Sequence, residues 1–146
     1  MQEVNQTWFF NQQPGEVWEY LTQPELVEQW LMKCDIQPVV GNKFKFYHIP
    51  KNESRYVGIV DCEVLEVTPV TRLSYSWNAS AKDGSGTFNS TVLWTLTEKE
   101  SGTELQLNHN GFAFMEDYTL HNTGWTKCLT KLTERLNMVT DDSTKA

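Results

Sequence analysis

The chain has 146 residues, of which 39% are apolar and 21% charged, and it carries a formal net charge of −7. This length predicts one globular domain. The acidic charge disfavours nucleic acid and anionic membranes as partners, because both are negatively charged. The three cysteines, Cys34, Cys62 and Cys128, form no C-x-x-C pair. Their number and spacing fit neither a disulfide framework nor a zinc site, so we predict no metal.

The N-terminal segment lacks the features of a secretion signal. Residues 1–5 contain neither a basic stretch nor an apolar one. The chain also lacks the run of about 20 apolar residues that spans a bilayer. We therefore expect a cytoplasmic protein without membrane insertion. Its single domain is predicted over residues 1–139, followed by a flexible polar tail over residues 140–146.

The first predicted element is a strand. Val4, Trp8 and Phe10 alternate with polar residues, which is typical of a strand with one buried face. Gln6 interrupts this apolar face and weakens the prediction. The strand places Trp8 among the candidate pocket residues.

Two short helices are predicted next. Pro14 is preset for the first turn of a helix over residues 14–21. Thr22 and Glu25 have the spacing of a capping box, in which the threonine side chain accepts from a free N–H of the next helix. This pattern predicts a second helix over residues 26–31.

The middle of the chain, from residue 35 to residue 111, alternates with a period of two, which favours strands. Two consecutive apolar residues, Val64 and Leu65, predict a β-bulge. Short turn sequences separate the apolar runs, so an antiparallel meander is expected. The predicted strands cover residues 36–39, 44–48, 56–67, 73–77, 92–96 and 105–109, with turns at Gly41-Asn42, Asp83-Gly84 and Ser101-Gly102.

The last predicted element is a long amphipathic helix. Apolar residues recur at spacings of three and four after Phe112, which is the period of one helix face. This face consists of Tyr118, His121, Trp125, Cys128, Leu129, Leu132, Leu136 and Val139. The order of elements predicts an α+β fold, in which a seven-stranded curved antiparallel sheet closes on the C-terminal helix. We expect an apolar cavity between sheet and helix.

Several segments resemble the START-like, or SRPBCC, superfamily, and specifically its branch similar to the ATPase activator of the 90-kilodalton heat-shock chaperone. The similarity covers roughly residues 4–138 and keeps the order of the family's motifs. Asn42 replaces the second glycine of one motif, and asparagine also tolerates a left-handed turn. The matching segments are residues 11–25 with Trp30, residues 41–46, 64–77 and 103–112, and the helical pattern from Gly124 to Leu136.

The resemblance implies a helix-grip fold, in which the sheet wraps around the C-terminal helix and leaves an apolar pocket. Relatives use such pockets for lipids, hormones or polyketide-like molecules, and a few perform cyclisation or dehydration. The chaperone activator carries a further N-terminal domain for which we expect no room here. The resemblance therefore favours a ligand-binding module over a co-chaperone.

His109 is the most notable ionisable candidate, because it is predicted to share a strand face with Leu105 and Leu107. A buried imidazole there would orient a ligand or transfer a proton. The alternative is a structural histidine paired with a hydroxyl or carbonyl group. Without a carboxylate partner it should be neutral, with a pKa below about 6.5. The predicted ligand-binding residues are Trp8, Tyr75, Trp77, Trp94, His109, His121 and Trp125.

Three function classes follow from these features. The leading hypothesis is a binding module for a small apolar or amphipathic molecule, with no cofactor and no catalytic residue. The second is an enzyme of cyclase, dehydratase or hydrolase type that uses His109 with a hydroxyl such as Tyr75. The third is an interaction protein, either a homodimer formed through an exposed strand or helix, or a co-chaperone.

Overall fold

In the computed structural model of the protein, residues 2–47, 56–81 and 87–145 are described. The predicted strand end at His48 and the predicted Asp83-Gly84 turn lie outside these ranges. The strands and helices, in chain order, are β1 (Gln2–Phe10), α1 (Pro14–Thr22), α2 (Pro24–Val27), β2 (Lys33–Cys34), β3 (Lys43–Tyr47), β4 (Tyr56–Thr68), β5 (Arg72–Ala81), β6 (Thr87–Lys99), β7 (Gly102–Phe112) and α3 (Met115–Lys145).

The seven strands form one curled antiparallel sheet in the order β1-β7-β6-β5-β4-β3-β2. The sheet and the long helix α3 confirm the predicted α+β helix-grip fold. The β4–β5 register shifts between Val64 and Glu66, so the predicted bulge is also confirmed. Another irregularity lies where β1 meets β7, and Gly111 of β7 adopts a φ of +111°. Such a φ favours glycine, because it has no Cβ.

The core lies between the concave face of the sheet and α3. Alternate residues of the central strands are buried, as a period of two requires. From α3 the core receives one tryptophan and three leucines of the predicted stripe, which confirms its orientation. The buried residues of these elements are Leu73, Tyr75, Trp77, Val92, Trp94, Leu96, Leu105, Leu107, His109, Trp125, Leu129, Leu132 and Leu136.

Gln6 lies on the helix-facing side of β1 and connects that strand to α3. Its side-chain amide donates to the carbonyl oxygen of Asn122 at 3.2 Å, to Asn122 Oδ1 at 3.0 Å and to Thr126 Oγ1 at 3.1 Å. The polar residue that interrupts the apolar pattern therefore bridges the sheet edge to the helix.

The predicted strand over residues 36–39 is wrong, because the second strand is Lys33–Cys34. Local turn bonds occupy the backbone there instead. Val39 N–H donates to the Gln37 carbonyl, and Asn42 N–H donates to the Val39 carbonyl. Pro38 has no N–H with which to join a sheet.

The predicted capping box at Thr22 is also wrong. Thr22 is the last residue of α1, and its hydroxyl donates to the Trp18 carbonyl one turn earlier. The N-cap of α2 is Gln23, which makes no side-chain capping bond. The second helix is short and ends at Val27 instead of reaching residue 31.

Helix α3 extends to Lys145, beyond the end predicted from its apolar stripe. The flexibility of residues 140–146 stays a prediction. In the part of the chain that the structure describes, none of the helices combines the length and the apolar character needed to cross a bilayer.

Candidate functional site

Seven aromatic and histidine rings meet between strands β5–β7 and the first half of α3. Neighbouring ring centroids in this group lie 4.7 to 6.3 Å apart. We call this group the histidine–aromatic cluster. Its members are Trp77 from β5, Phe88 from β6, His109 and Phe112 from β7, and Tyr118, His121 and Trp125 from α3.

The cluster runs from the core to the surface of the protein. Trp77, His109, Phe112 and Trp125 are buried. The other three members are only half-buried, so the cluster reaches solvent beside them. These three members are Phe88, Tyr118 and His121.

His109 is fully buried and hydrogen-bonded through both ring nitrogens. The indole N–H of Trp125 donates to His109 Nδ1 at 2.9 Å. His109 Nε2 lies 2.8 Å from the hydroxyl oxygen of Ser90. The Ser90 hydroxyl in turn donates to the backbone carbonyl of Trp77 at 2.7 Å. A single chain of bonds therefore connects α3, β7, β6 and β5.

The direction of each bond in this chain fixes the protonation of His109. An indole N–H only donates, so Nδ1 must be an unprotonated acceptor. The Ser90 hydrogen is used on the Trp77 carbonyl, so Nε2 carries the hydrogen that reaches Ser90. Burial, with a smaller contribution from nearby His121, holds the pKa of His109 well below its usual value. The predicted neutral form is confirmed, and the partner hydroxyl of the structural alternative is present.

His121 is the second histidine of the cluster. Its Nδ1 lies 2.8 Å from the backbone carbonyl of Asp117, so Nδ1 carries the hydrogen and Nε2 is the acceptor in the neutral ring. Burial lowers the pKa of His121, although its bond to Asp117 opposes this shift. The ring centroid of His121 lies 5.2 Å from that of His109. Both histidines therefore favour the neutral form.

Trp77 has a buried indole N–H for which the described residues provide no hydrogen-bond acceptor. The side chain lies among Phe46, His109 and Trp125, with ring centroids at 5.2, 5.5 and 5.3 Å. An unpaired buried donor is unfavourable by about 1–3 kcal/mol. Among the described residues, the Trp77 N–H is therefore a fully buried donor of the cluster without a partner.

Two other predicted site residues, Tyr75 and Trp94, lie deeper in the core. The Trp94 indole donates to the Tyr75 hydroxyl at 3.0 Å. Burial raises the pKa of the Tyr75 phenol, which keeps it protonated. Trp94 still contacts the cluster through Trp125, at a centroid distance of 5.3 Å. In the described structure no hydrogen bond joins Tyr75 to His109, so the acid–base pair of the enzyme hypothesis is not assembled.

Trp8 lies apart from the other predicted site residues. It is half-buried on β1, and its indole donates to Gln6 Oε1 at 2.9 Å. Among the described residues, no ring contact connects it to the histidine–aromatic cluster. The structure therefore brings together Trp77, His109, His121 and Trp125, with Tyr75 and Trp94 behind them.

Four important residues were absent from the predicted site: Phe88, Ser90, Phe112 and Tyr118. Tyr118 was predicted for the apolar face of the C-terminal helix only. Extending the alternation of β6 backwards from Val92 places Phe88 and Ser90 on the same inner face, so that signal was available for both. Nothing in the local sequence identifies the Ser90 hydroxyl as the partner of His109. That pairing depends on the register between β6 and β7.

Three clefts lined by described residues lie away from the cluster. The first, of about 310 Å³, is lined by parts of β1, β6 and β7, including Asn5 and Gln106. The second, of about 380 Å³, lies beside Phe9 and Glu104. The third, of about 210 Å³, lies near Cys62. The cavity predicted between sheet and helix stays a prediction.

The remaining reactive side chains do not form a second centre in the described structure. Burial raises the pKa of the Cys34 thiol to about 11 and also raises the pKa values of Cys62 and Cys128. These thiols therefore stay protonated at neutral pH and are weak nucleophiles. Among the described residues, no three histidine, cysteine, aspartate or glutamate side chains lie together in a group suited to a metal ion.

The sequence matches a family model described as Activator of Hsp90 ATPase homolog 1-like protein over residues 11–137. Among solved structures, the protein MLL2253 of Mesorhizobium loti is 34% identical to this chain. The two superimpose with a TM-score of 0.82, over 94% of this chain and 98% of that chain. A comparison with curated proteins finds no match.

Two more distant structures share the fold. An AHSA1 protein of Silicibacter pomeroyi has 19% identity and a TM-score of 0.78, over 94% of this chain and 99% of that chain. The Aha1 dimer of Colwellia psychrerythraea, solved in solution, has 20% identity and a TM-score of 0.72. That match covers 93% of this chain and 96% of the other.

Proposed function

The chain belongs to the family of Activator of Hsp90 ATPase homolog 1-like proteins, and from this premise we propose that it binds a small apolar or amphipathic molecule at the histidine–aromatic cluster. One observation carries this proposal. The cluster is a continuous set of rings that extends from the fully buried His109 to the half-buried Phe88, Tyr118 and His121.

The chemistry of the cluster favours an apolar ligand. Aromatic rings offer large apolar contact areas, and they surround a small number of polar atoms. His109 and His121 are neutral at pH 7, because burial lowers both pKa values. A ligand that enters beside them replaces contacts between rings with contacts to its own apolar body.

The proposed entrance lies at the three half-buried members. Phe88, on β6, and His121, on α3, have ring centroids 5.3 Å apart, and Tyr118 lies one turn earlier on the helix. In this proposal the three rings move apart as the ligand enters. Rotation of partly exposed side chains is fast compared with unfolding, so such an entrance is accessible in the native protein.

The proposal also favours binding over catalysis. Both nitrogens of His109 are engaged by Trp125 and Ser90, so this imidazole has no free lone pair with which to accept a proton from a ligand. In the proposed function His109 forms part of the wall and holds Trp125 in place.

A binding titration tests the proposal. We expect diphenylhexatriene, an uncharged apolar dye, and a fluorescent fatty acid to bind saturably at one site, because both present apolar bodies. The variant Tyr118→Lys places a charge at the entrance and should weaken dye binding at least tenfold. Leu120→Lys is the matched control, because Leu120 lies on the same helix but is exposed. Unsaturable binding, or equal effects of both variants, would refute the proposal.

A second candidate function is homodimer formation through the start of α3. Phe114, Met115 and Leu120 expose apolar side chains there, and the relative from Colwellia psychrerythraea is described as a dimer. Sedimentation velocity measured between about 10 and 300 μM tests it. A concentration-dependent dimer that is lost in Met115→Lys would support this candidate, whereas a monomer throughout would exclude it at these concentrations.

A further inference from the structure

We infer that the indole N–H of Trp77 is the hydrogen-bond donor that selects the ligand, and that the ligand is an uncharged molecule with an apolar ring system and a carbonyl-type oxygen acceptor. This inference rests on the proposed function and specifies the chemistry of its ligand.

The first support is the contrast between Trp77 and the other indoles with assigned partners. Four indole N–H groups donate within the protein, at distances of 2.8 to 3.0 Å. The Trp77 N–H is buried and has no acceptor among the described residues. The four satisfied donors are Trp8 to Gln6, Trp30 to the Tyr20 carbonyl, Trp94 to Tyr75 and Trp125 to His109.

The second support is that the fold holds Trp77 firmly in this unpaired state. The backbone carbonyl of Trp77 accepts the Ser90 hydroxyl at 2.7 Å, which ties it to the chain of bonds through His109. Its ring contacts Phe46 and Trp125 on neighbouring elements. Buried polar groups are normally paired, so an exception inside a proposed binding site indicates a partner supplied from outside.

The charge of the surroundings determines what kind of acceptor fits. The two histidines whose rings contact Trp77, His109 and His121, are both neutral at pH 7. The other described ring partners are apolar or tryptophan side chains. Among these described residues a carboxylate beside Trp77 would be buried without a positive partner, which is strongly unfavourable. A neutral carbonyl oxygen satisfies the indole without that penalty.

Three probes of similar shape separate these possibilities: acetylnaphthalene, which carries a ketone, ethylnaphthalene, which lacks an acceptor, and naphthoic acid, which is anionic at pH 7. We expect the ketone to bind about tenfold more tightly than the hydrocarbon, since only the ketone satisfies the buried donor. We also expect the acid to bind more weakly than the ketone.

Two variants test whether the preference for the ketone over the hydrocarbon depends on Trp77. Trp77→Phe keeps an aromatic ring but removes the N–H, so the ketone and the hydrocarbon should bind equally. Trp94→Phe is the control of equal size change, because the Trp94 N–H is already paired with Tyr75. This variant should retain the tenfold preference. A preference that persists in Trp77→Phe would overturn the inference.

A measurement on the unmodified protein covers the case in which Trp77→Phe fails to fold. The indole ¹H–¹⁵N resonance of Trp77, assigned from through-space contacts to His109 and Phe46, should move downfield with the ketone and much less with the hydrocarbon. Equal binding of both probes without this shift would reject the inference and leave the proposed function standing. If no probe binds, both are wrong.

Discussion

Trp125 donates its indole N–H to Nδ1 of His109, so a side chain from the C-terminal helix fixes the tautomer of a histidine in the sheet. The bond is 2.9 Å long, and both residues are buried. Because a protonated imidazole would present an N–H to another N–H at this point, protonation of His109 breaks this hydrogen bond between helix and sheet. The stability of the fold is thereby coupled to pH.

We predict that the protein loses stability as the pH falls below about 6.5. His109 has a lowered pKa in the folded state, so the unfolded chain binds a proton at a pH at which the folded chain does not. Within that window the free energy of unfolding decreases by up to about 1.4 kcal/mol per pH unit for this histidine. His121 acts in the same direction, because its pKa is also lowered.

Denaturant unfolding at pH 7.5, 6.5 and 5.5 measures this effect. The variant His109→Gln removes the titrating group, so its stability should fall less between pH 6.5 and pH 5.5 than that of the unmodified protein. At pH 7.5 the variant itself should be less stable by about 1–3 kcal/mol, since the bonds to Trp125 and Ser90 are disrupted. Equal pH dependence of both proteins would show that His109 is not the coupled group.

Trp125 should contribute to stability both as a packed ring and as a donor. Trp125→Ala is expected to cost about 3–5 kcal/mol, because a large buried side chain is removed. Trp125→Phe should cost less but release Nδ1, so the pKa of His109 should rise. An NMR titration of the histidine resonances measures this pKa. In the control Trp94→Phe the pKa of His109 should stay unchanged. A rise in this control would show that the shift does not depend on the hydrogen bond from Trp125.

The Ser90 hydroxyl is predicted to contribute more to the free energy of unfolding than the hydroxyl of a comparable serine, Ser74. Both are buried, and both donate to a backbone carbonyl, Ser74 to that of Val92 at 2.9 Å. Only Ser90 also receives the His109 hydrogen. Ser90→Ala removes two hydrogen bonds, including the one to the buried His109, and Ser74→Ala removes one, so Ser90→Ala should be more destabilising by about 1–3 kcal/mol. Equal losses in chemical denaturation would contradict the chain of bonds.

Two glycines should respond to alanine in opposite ways. At Gly111 the φ is +111°, and an added Cβ would lie 2.9 Å from the Asn89 carbonyl oxygen, so Gly111→Ala should destabilise the β6–β7 contact. At Gly124, within α3, an added Cβ meets nothing within 4 Å. Gly124→Ala should therefore raise stability by about 0.5–1 kcal/mol, through helix propensity. A higher melting temperature for Gly111→Ala would contradict the strand geometry.

Most of the architecture could be predicted from periodicity, because alternate strand residues and the stripe on α3 each follow one regular rule. The errors occurred where short-range bonds decide the structure. Thr22 bonds backwards to Trp18, and the segment around Val39 forms local turns. These choices depend on the neighbouring fold, which overrides a capping or strand pattern.

The candidate site was only partly predictable, for a different reason. Burial of Trp77, His109 and Trp125 follows from alternation and from the helix stripe. Their hydrogen bonds depend on strand register and on the position of α3, which no local pattern encodes. The same limit explains why the unpaired indole of Trp77 and the role of Ser90 emerge only from the three-dimensional structure.

A crystal structure of the protein soaked with bromo-acetylnaphthalene tests most directly whether the histidine–aromatic cluster is the binding site. The anomalous signal of bromine locates the probe independently of the rest of the density. We predict one ordered probe in contact with Trp77 and His121, with Phe88 or Tyr118 displaced from its present position. Probe bound only in the outer clefts beside Asn5 or Phe9, with the cluster unchanged, would contradict the proposed site.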